Sequence, residues 1–269
     1  MSNPLRFATT TSGTAIVGDA DGFVPLAAAV PHCEDPIRAA MNAESIDLDS
    51  APAARIPTEE VRFGVPFDPQ KLWGIGLNYG DHAADLDESS PEEPASFMKP
   101  STAVAPPGGP IRLPEQSNRV TAEAELGIVI GQTCSHVSEE EFDNVIAGFV
   151  PIIDMTAEDI LQRNPRFLTR SKSFDTFIVI GPWLTAPATT TALEEIAVST
   201  IVNDTEIAAN GLDAMHFSPP ELLSFHSEIM TLQPGDVIST GTPGAGVIRS
   251  GDRVRAEVSG VGTLTADVR

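Results

Sequence analysis

The segment Glu123-Ala124-Glu125 runs directly into the apolar stretch Leu126-Gly127-Ile128-Val129-Ile130, and Asp154 follows a second apolar stretch over 145–153. Successive strand side chains alternate faces, so Glu123 and Glu125 point the same way at the mouth of a strand. Two carboxylates side by side repel unless a cation or a proton lies between them. Asp154, at the end of another buried segment, completes an all-oxygen set suited to Mg²⁺ or Mn²⁺. The plain alternative for a Glu-x-Glu pair alone is a solvated strand edge.

Composition narrows the partners. The chain has 269 residues and a net charge of −22, enough for one large domain plus a small one and unfavourable for nucleic acid or an anionic membrane. No apolar run approaches the roughly 18 to 20 residues that cross a bilayer. The opening residues lack the basic and apolar regions of a secretion signal, which leads to the expectation of a cytoplasmic protein. Cys33 and Cys134 show no metal-binding or disulfide spacing. Three lysines (Lys71, Lys99 and Lys172) stand against thirteen arginines, so a lysine inside a motif is conspicuous.

Residues 1–65 read as a small β-rich domain, with short apolar segments at 5–9, 15–17 and 22–26, a short helix near 38–44 and a linker at 51–57. Residues 66–269 read as a larger, mostly β domain. Ser138 to Glu141 is a capping box that opens a helix, Ser218-Pro219-Pro220-Glu221 caps another running to about Ile229, and 156–159 starts a third that Asn164-Pro165 stops. Strands are expected at 73–77, 253–258 and 263–268. The fold class is mixed and β-dominated, α+β.

Several stretches, in order, carry a family resemblance: Gly76-Leu77-Asn78-Tyr79-Gly80-Asp81-His82, Phe97-Met98-Lys99-Pro100, Glu123 to Gly131, Asp154, Lys172-Ser173-Phe174-Asp175 with Gly181-Pro182, Leu232 to Asp236, and Thr240-Gly241-Thr242-Pro243. With these the chain resembles the fumarylacetoacetate hydrolase family from about Leu72 onward. The resemblance implies a β-roll catalytic domain, a homodimer and one Mg²⁺ or Mn²⁺ held by Glu123, Glu125 and Asp154. It makes Lys172 the active-site lysine and brings Gly241 and Thr242 to the substrate's carboxylate. Tyr79 is a candidate pocket wall. His82 with Asp85 stands where hydrolytic members carry a water-activating His–Glu pair; three residues apart, the two meet on one helical turn.

The match breaks after Asp154. The family's arginine and glutamine fall on Glu158 and Leu161, and a further glutamine is replaced near Ala208. A glutamate repels substrate oxygens that an arginine would clamp. Arg163, Arg166 and Arg170, all shortly before Lys172, are candidates for the missing charge; Arg170 is the one assigned to substrate.

The function expected is a Mg²⁺/Mn²⁺-dependent enzyme acting on a small 2-oxo dicarboxylic acid or acylpyruvate through a metal-stabilised enolate. C–C hydrolysis or decarboxylation leads, with 2-hydroxyhepta-2,4-diene-1,7-dioate isomerisation as the alternative. A non-catalytic metal-binding protein on the same scaffold is the rival from another class.

Overall fold

The computed structural model describes residues 4–80, 91–187 and 193–269. Its centre is an antiparallel pair of long strands, Val120–Ile130 and Ile146–Ala157, in which every residue is buried. Burial on both faces explains why each strand reads as a nearly continuous apolar run rather than as an alternation. It also makes the few acids in them costly unless they are matched.

Around this pair, the described residues form one large sheet. Its order is Gly22–Pro25, Ala15–Asp19, Arg6–Thr9, Leu184–Thr185, Ile146–Ala157, Val120–Ile130, Val237–Ser239, Leu72–Gly76 and Ala95–Lys99. Ile178–Ile180 adds beside Ile146–Ala157, and Ala245–Ile248 beside Val120–Ile130. A second sheet, in the order Thr205–Gly211, Ala197–Val202, Arg253–Val258, Gly262–Val268 and Gly108–Ile111, packs its middle strands against the central pair. The molecule is β-dominated with a few short helices, as its sequence leads one to expect.

The amino-terminal strands are part of the large sheet. Arg6 and Phe7 pair with Thr185 and Leu184, and Leu5, Phe7 and Val17 lie in the main core. On the other face Ile16 and Phe23 pack with Trp183.

Both capping boxes form, at Ser138 with Glu141 and at Ser218 with Glu221, the latter opening Pro219–Ile229. The third helix differs from its expected start. It spans Glu158–Arg163, because Thr156 and Ala157 are held extended opposite Thr121 and Val120. Asp154 likewise lies inside its strand rather than at its end, and Glu123 and Glu125 inside theirs rather than at a mouth or a solvated edge. Among the described residues no helix is long and apolar enough to cross a membrane.

Candidate metal centre

The register of the central strands builds the site. Glu123 pairs with Asp154 and Glu125 with Ile152, so Glu123 and Asp154 are cross-strand neighbours on one face and Glu125 follows on that face two residues on. One carboxylate oxygen from each of the three lies within 4.8 Å of the others. Their exposures are 8% for Glu123, 1% for Glu125 and 0% for Asp154.

Each acid is held differently. Glu125 Oε2 accepts from Ser239 Oγ at 2.5 Å and from the Gly241 amide at 3.0 Å. Glu123 Oε1 accepts from Thr156 Oγ1 at 2.7 Å, while Lys172 Nζ donates to Glu123 Oε2 at 2.8 Å and to Asp154 Oδ1 at 3.3 Å. Lys99 Nζ meets the same Asp154 Oδ1 at 2.7 Å. Asp154 Oδ2 is buried with no partner among the described residues.

That orphaned acceptor, in a cluster with one anion more than it has ammonium groups, fits a cation of oxygen preference. Glu123, Glu125 and Asp154 are the residues that would hold it. Burial, then Asp154, pushes Glu125 up to about 8, and burial also raises Asp154. Burial works against the Lys172 ammonium, yet Asp154, Glu123 and Glu125 together hold its pKa above the ordinary lysine value. Burial brings Lys99 down to about 8, against the pull of Asp154.

A carboxyl raised from 4.5 to about 8 in the fold binds a proton that the unfolded chain releases between those values. Its stabilising contribution is therefore whole below about pH 4.5 and is lost as the pH rises through about 8. A divalent ion needs the ionised form, so its affinity rises over the same window with proton release. Thermal melts in EDTA between about pH 5 and about pH 9 should show this decline in the wild type and a flatter profile in Glu125→Gln. Calorimetry in two buffers should count about one proton released per Mn²⁺. Matching profiles for the two proteins would refute the assignment.

Gly241 joins the site through its backbone. Its φ is +92°, and a Cβ there would come within 3.1 Å of Ile75 O and of Asn78 Cβ. A side chain would thus disturb the amide that caps Glu125. Thr242 is buried and engaged in its own turn, donating to Gly244 O at 3.0 Å. Tyr79 is fully buried, and its hydroxyl has no partner among the described residues; its pKa is raised by burial and then by Glu125 and Asp213. Arg170 is exposed and donates to Gln116 Oε1 at 3.2 Å. His82 and Asp85 lie outside the described residues.

Three contributors have no role in the reading of the sequence: Lys99, although it lies in one of the stretches that carry the resemblance, Ser239 and Thr156. For Lys99 the rarity of lysine is a usable signal. All three lysines prove to face acids that are at most a tenth exposed, Lys71 pairing with Asp236 at 2.5 Å. Ser239 and Thr156 have no such marker. Glu158 accepts from Arg119 Nε at 2.6 Å and from Gln162 Nε2 at 2.8 Å. Arg163 instead faces Asp159 at 3.4 Å.

Comparison with known proteins identifies the family. The family model described as fumarylacetoacetate (FAA) hydrolase C-terminal matches residues 71–269. The chain belongs to the fumarylacetoacetate hydrolase family. A 2,4-didehydro-3-deoxy-L-rhamnonate hydrolase from Sphingomonas sp. (strain SKA58) is 34% identical over 261 residues, covering 93% of this chain and 90% of the relative. The solved 2-hydroxyhepta-2,4-diene-1,7-dioate isomerase from Mycobacterium marinum is 30% identical, with a TM-score of 0.78 and coverage of 99% of this chain and 98% of that one. Maleylpyruvate hydrolase from Sphingobium sp. SYK-6, solved with manganese(II) ion and pyruvate, is 29% identical, with a TM-score of 0.79 and coverage of 98% of each chain. Fumarylacetoacetate hydrolase family relatives are enzymes of several reaction types, and this chain is an enzyme of that family.

Proposed function

We propose that the protein is a Mg²⁺- or Mn²⁺-dependent enzyme acting on a small 2-oxo dicarboxylic acid or acylpyruvate, with C–C hydrolysis or decarboxylation as the leading reaction. The observation that carries this reading is the buried face on which Glu123, Glu125 and Asp154 converge beside Lys172. A divalent ion in such a set supplies Lewis acidity towards carboxylate and keto oxygens.

The chain's own residues do the rest. Lys172 keeps its proton and offers a fixed positive charge where negative charge develops on an enolate oxygen. Glu125, locked by Ser239 and Gly241, keeps the centre rigid without an external partner. Burial excludes bulk water, which strengthens each of these interactions. If His82 and Asp85 act as the base and its orienting group, water is activated and the outcome is hydrolysis. Without them, enolate stabilisation alone is enough for decarboxylation of a β-oxo acid. The isomerase among the solved relatives keeps double-bond migration as the alternative.

The test is turnover of oxaloacetate, acetylpyruvate and fumarylpyruvate with Mg²⁺, Mn²⁺ or EDTA, in wild type and Glu125→Ala. Metal-dependent turnover is expected in the wild type, with a loss of at least about 100-fold in the variant. His82→Ala should remove hydrolysis and spare decarboxylation. No metal-dependent turnover of any of the three would overturn the substrate class.

A further inference from the structure

We infer that Arg119 is the specificity-determining cation of this site, reading the anionic end of the substrate that lies away from the carboxylate triad. The inference deepens the proposed function and rests on it.

The ladder supplies the geometry. Glu123 pairs with Asp154 and Thr121 with Thr156. One rung further, the Glu158 amide donates to Arg119 O at 2.9 Å, and the two side chains meet as an ion pair. Arg119, Thr121, Glu123 and Glu125 therefore fall on one face by the two-residue strand period. Along that face Glu125, Glu123 and Thr121 stay buried at 1%, 8% and 4%, and exposure begins only beyond them, with the Arg119 side chain at 51%. The open end of the face is the Arg119 end. Three residues separate it from Glu123, roughly 13 Å between Cα atoms, a span that the arginine side chain and a dicarboxylate several carbons long would cover together.

Charge points the same way. Lys99 and Lys172 are engaged by the triad, Arg163 by Asp159 and Arg170 by Gln116, while Arg166 is exposed on the turn Pro165–Phe167, which packs on the two flanking helices. Arg119 is held only through Nε, and Glu158 is itself braced by Gln162. Both Nη groups of Arg119 have no partner among the described residues. A guanidinium fixed in this way presents N–H groups in the fork that a carboxylate accepts. On a chain of net charge −22, such a cation at the mouth offsets repulsion of an anionic substrate. Glu158, at the position where the resemblance leads one to expect an arginine, is then a positioning residue for an arginine supplied from just before the strand Val120–Ile130.

The test compares two probes on the Mn²⁺-loaded protein by calorimetry: pyruvate, which has no second carboxylate, and 2-oxoadipate, which has one. The wild type should bind 2-oxoadipate more tightly. Arg119→Met should weaken 2-oxoadipate about 10- to 100-fold and leave pyruvate within about 2-fold. Arg119→Lys should fall between, and Glu158→Gln should give a smaller loss for 2-oxoadipate alone. An unchanged ratio of the two affinities in Arg119→Met, or an equal loss for both probes, overturns the inference while leaving the proposed function standing. Failure of the wild type to bind pyruvate in the presence of Mn²⁺ overturns both.

Discussion

Asp154→Asn is expected to abolish stabilisation by Mn²⁺ and to lower turnover at least about 10³-fold, without a change in side-chain volume. Asp154 is fully buried, and one of its oxygens is shared by Lys99 and Lys172 while the other has no partner among the described residues. An amide keeps the shape and removes the charge. The triad then offers two anions to two ammonium groups, so nothing in the balance favours a further cation. A ligand held at 100 times its Kd stabilises a protein by about 2.7 kcal/mol, and this increment should vanish. The metal-free variant should itself be less stable, since breaking a buried ion pair costs about 3–5 kcal/mol. The cost falls towards the lower figure because Lys172 keeps Glu123 at 2.8 Å. Thermal melts with and without Mn²⁺, together with steady-state rates, measure both effects. A melting temperature still raised by Mn²⁺ as far as in wild type would show that Glu123 and Glu125 suffice.

What could be read in advance follows the range of the interactions. Glu123 and Glu125 were legible because their relation is a two-residue strand period, and the helices at Ser138 and Ser218 because capping is settled within four residues. The pairing of Glu123 with Asp154 is written in neither segment. Reading the segments one at a time therefore leaves the acids at strand ends, whereas register buries them in mid-strand. Thr156 looks like a helix start by composition, but its hydroxyl is taken by Glu123 across the ladder, and sheet pairing overrides the local signal. Arg119 and Glu158 were invisible as a pair for the same reason. Arg163, Arg166 and Arg170 are near Lys172 in sequence, whereas Arg119, just before Val120–Ile130, is the arginine that meets Glu158 in space. In residues 1–65 the short strands were legible, and their docking on Leu184 and Thr185 was not, because it depends on a partner that lies more than 170 residues along the chain.

Lys99→Met should be the most destabilising replacement of any lysine in the chain. The Lys99 ammonium faces Asp154 Oδ1 at 2.7 Å and donates to the carbonyls of Phe177 at 2.6 Å, Lys172 at 2.8 Å and Met155 at 3.1 Å. Its side chain is 1% exposed, so water cannot take over these contacts without opening the core. Each buried acceptor left unmet costs about 1–3 kcal/mol. Even with partial relaxation the loss should reach about 4 kcal/mol, a large part of an ordinary folding free energy of about 5–15 kcal/mol. The matching change Lys71→Met should cost about 1 kcal/mol, since that side chain is 24% exposed and Asp236 also accepts from the Lys71 and Gln233 amides. The carbonyls that Lys99 gathers belong to the strand carrying Asp154, the helix ending at Lys172 and the approach to Ile178–Ile180. One ammonium thus fixes the backbone beneath both an acid of the triad and Lys172. Loss of that clamp should weaken Mn²⁺ binding about 10- to 100-fold, as removal of a group that orients a ligand does. Urea unfolding and Mn²⁺ titration of Lys99→Met and Lys71→Met decide the matter: equal midpoints would mean that water fills the site, and that the rigidity of the centre lies in Ser239 and Gly241 instead.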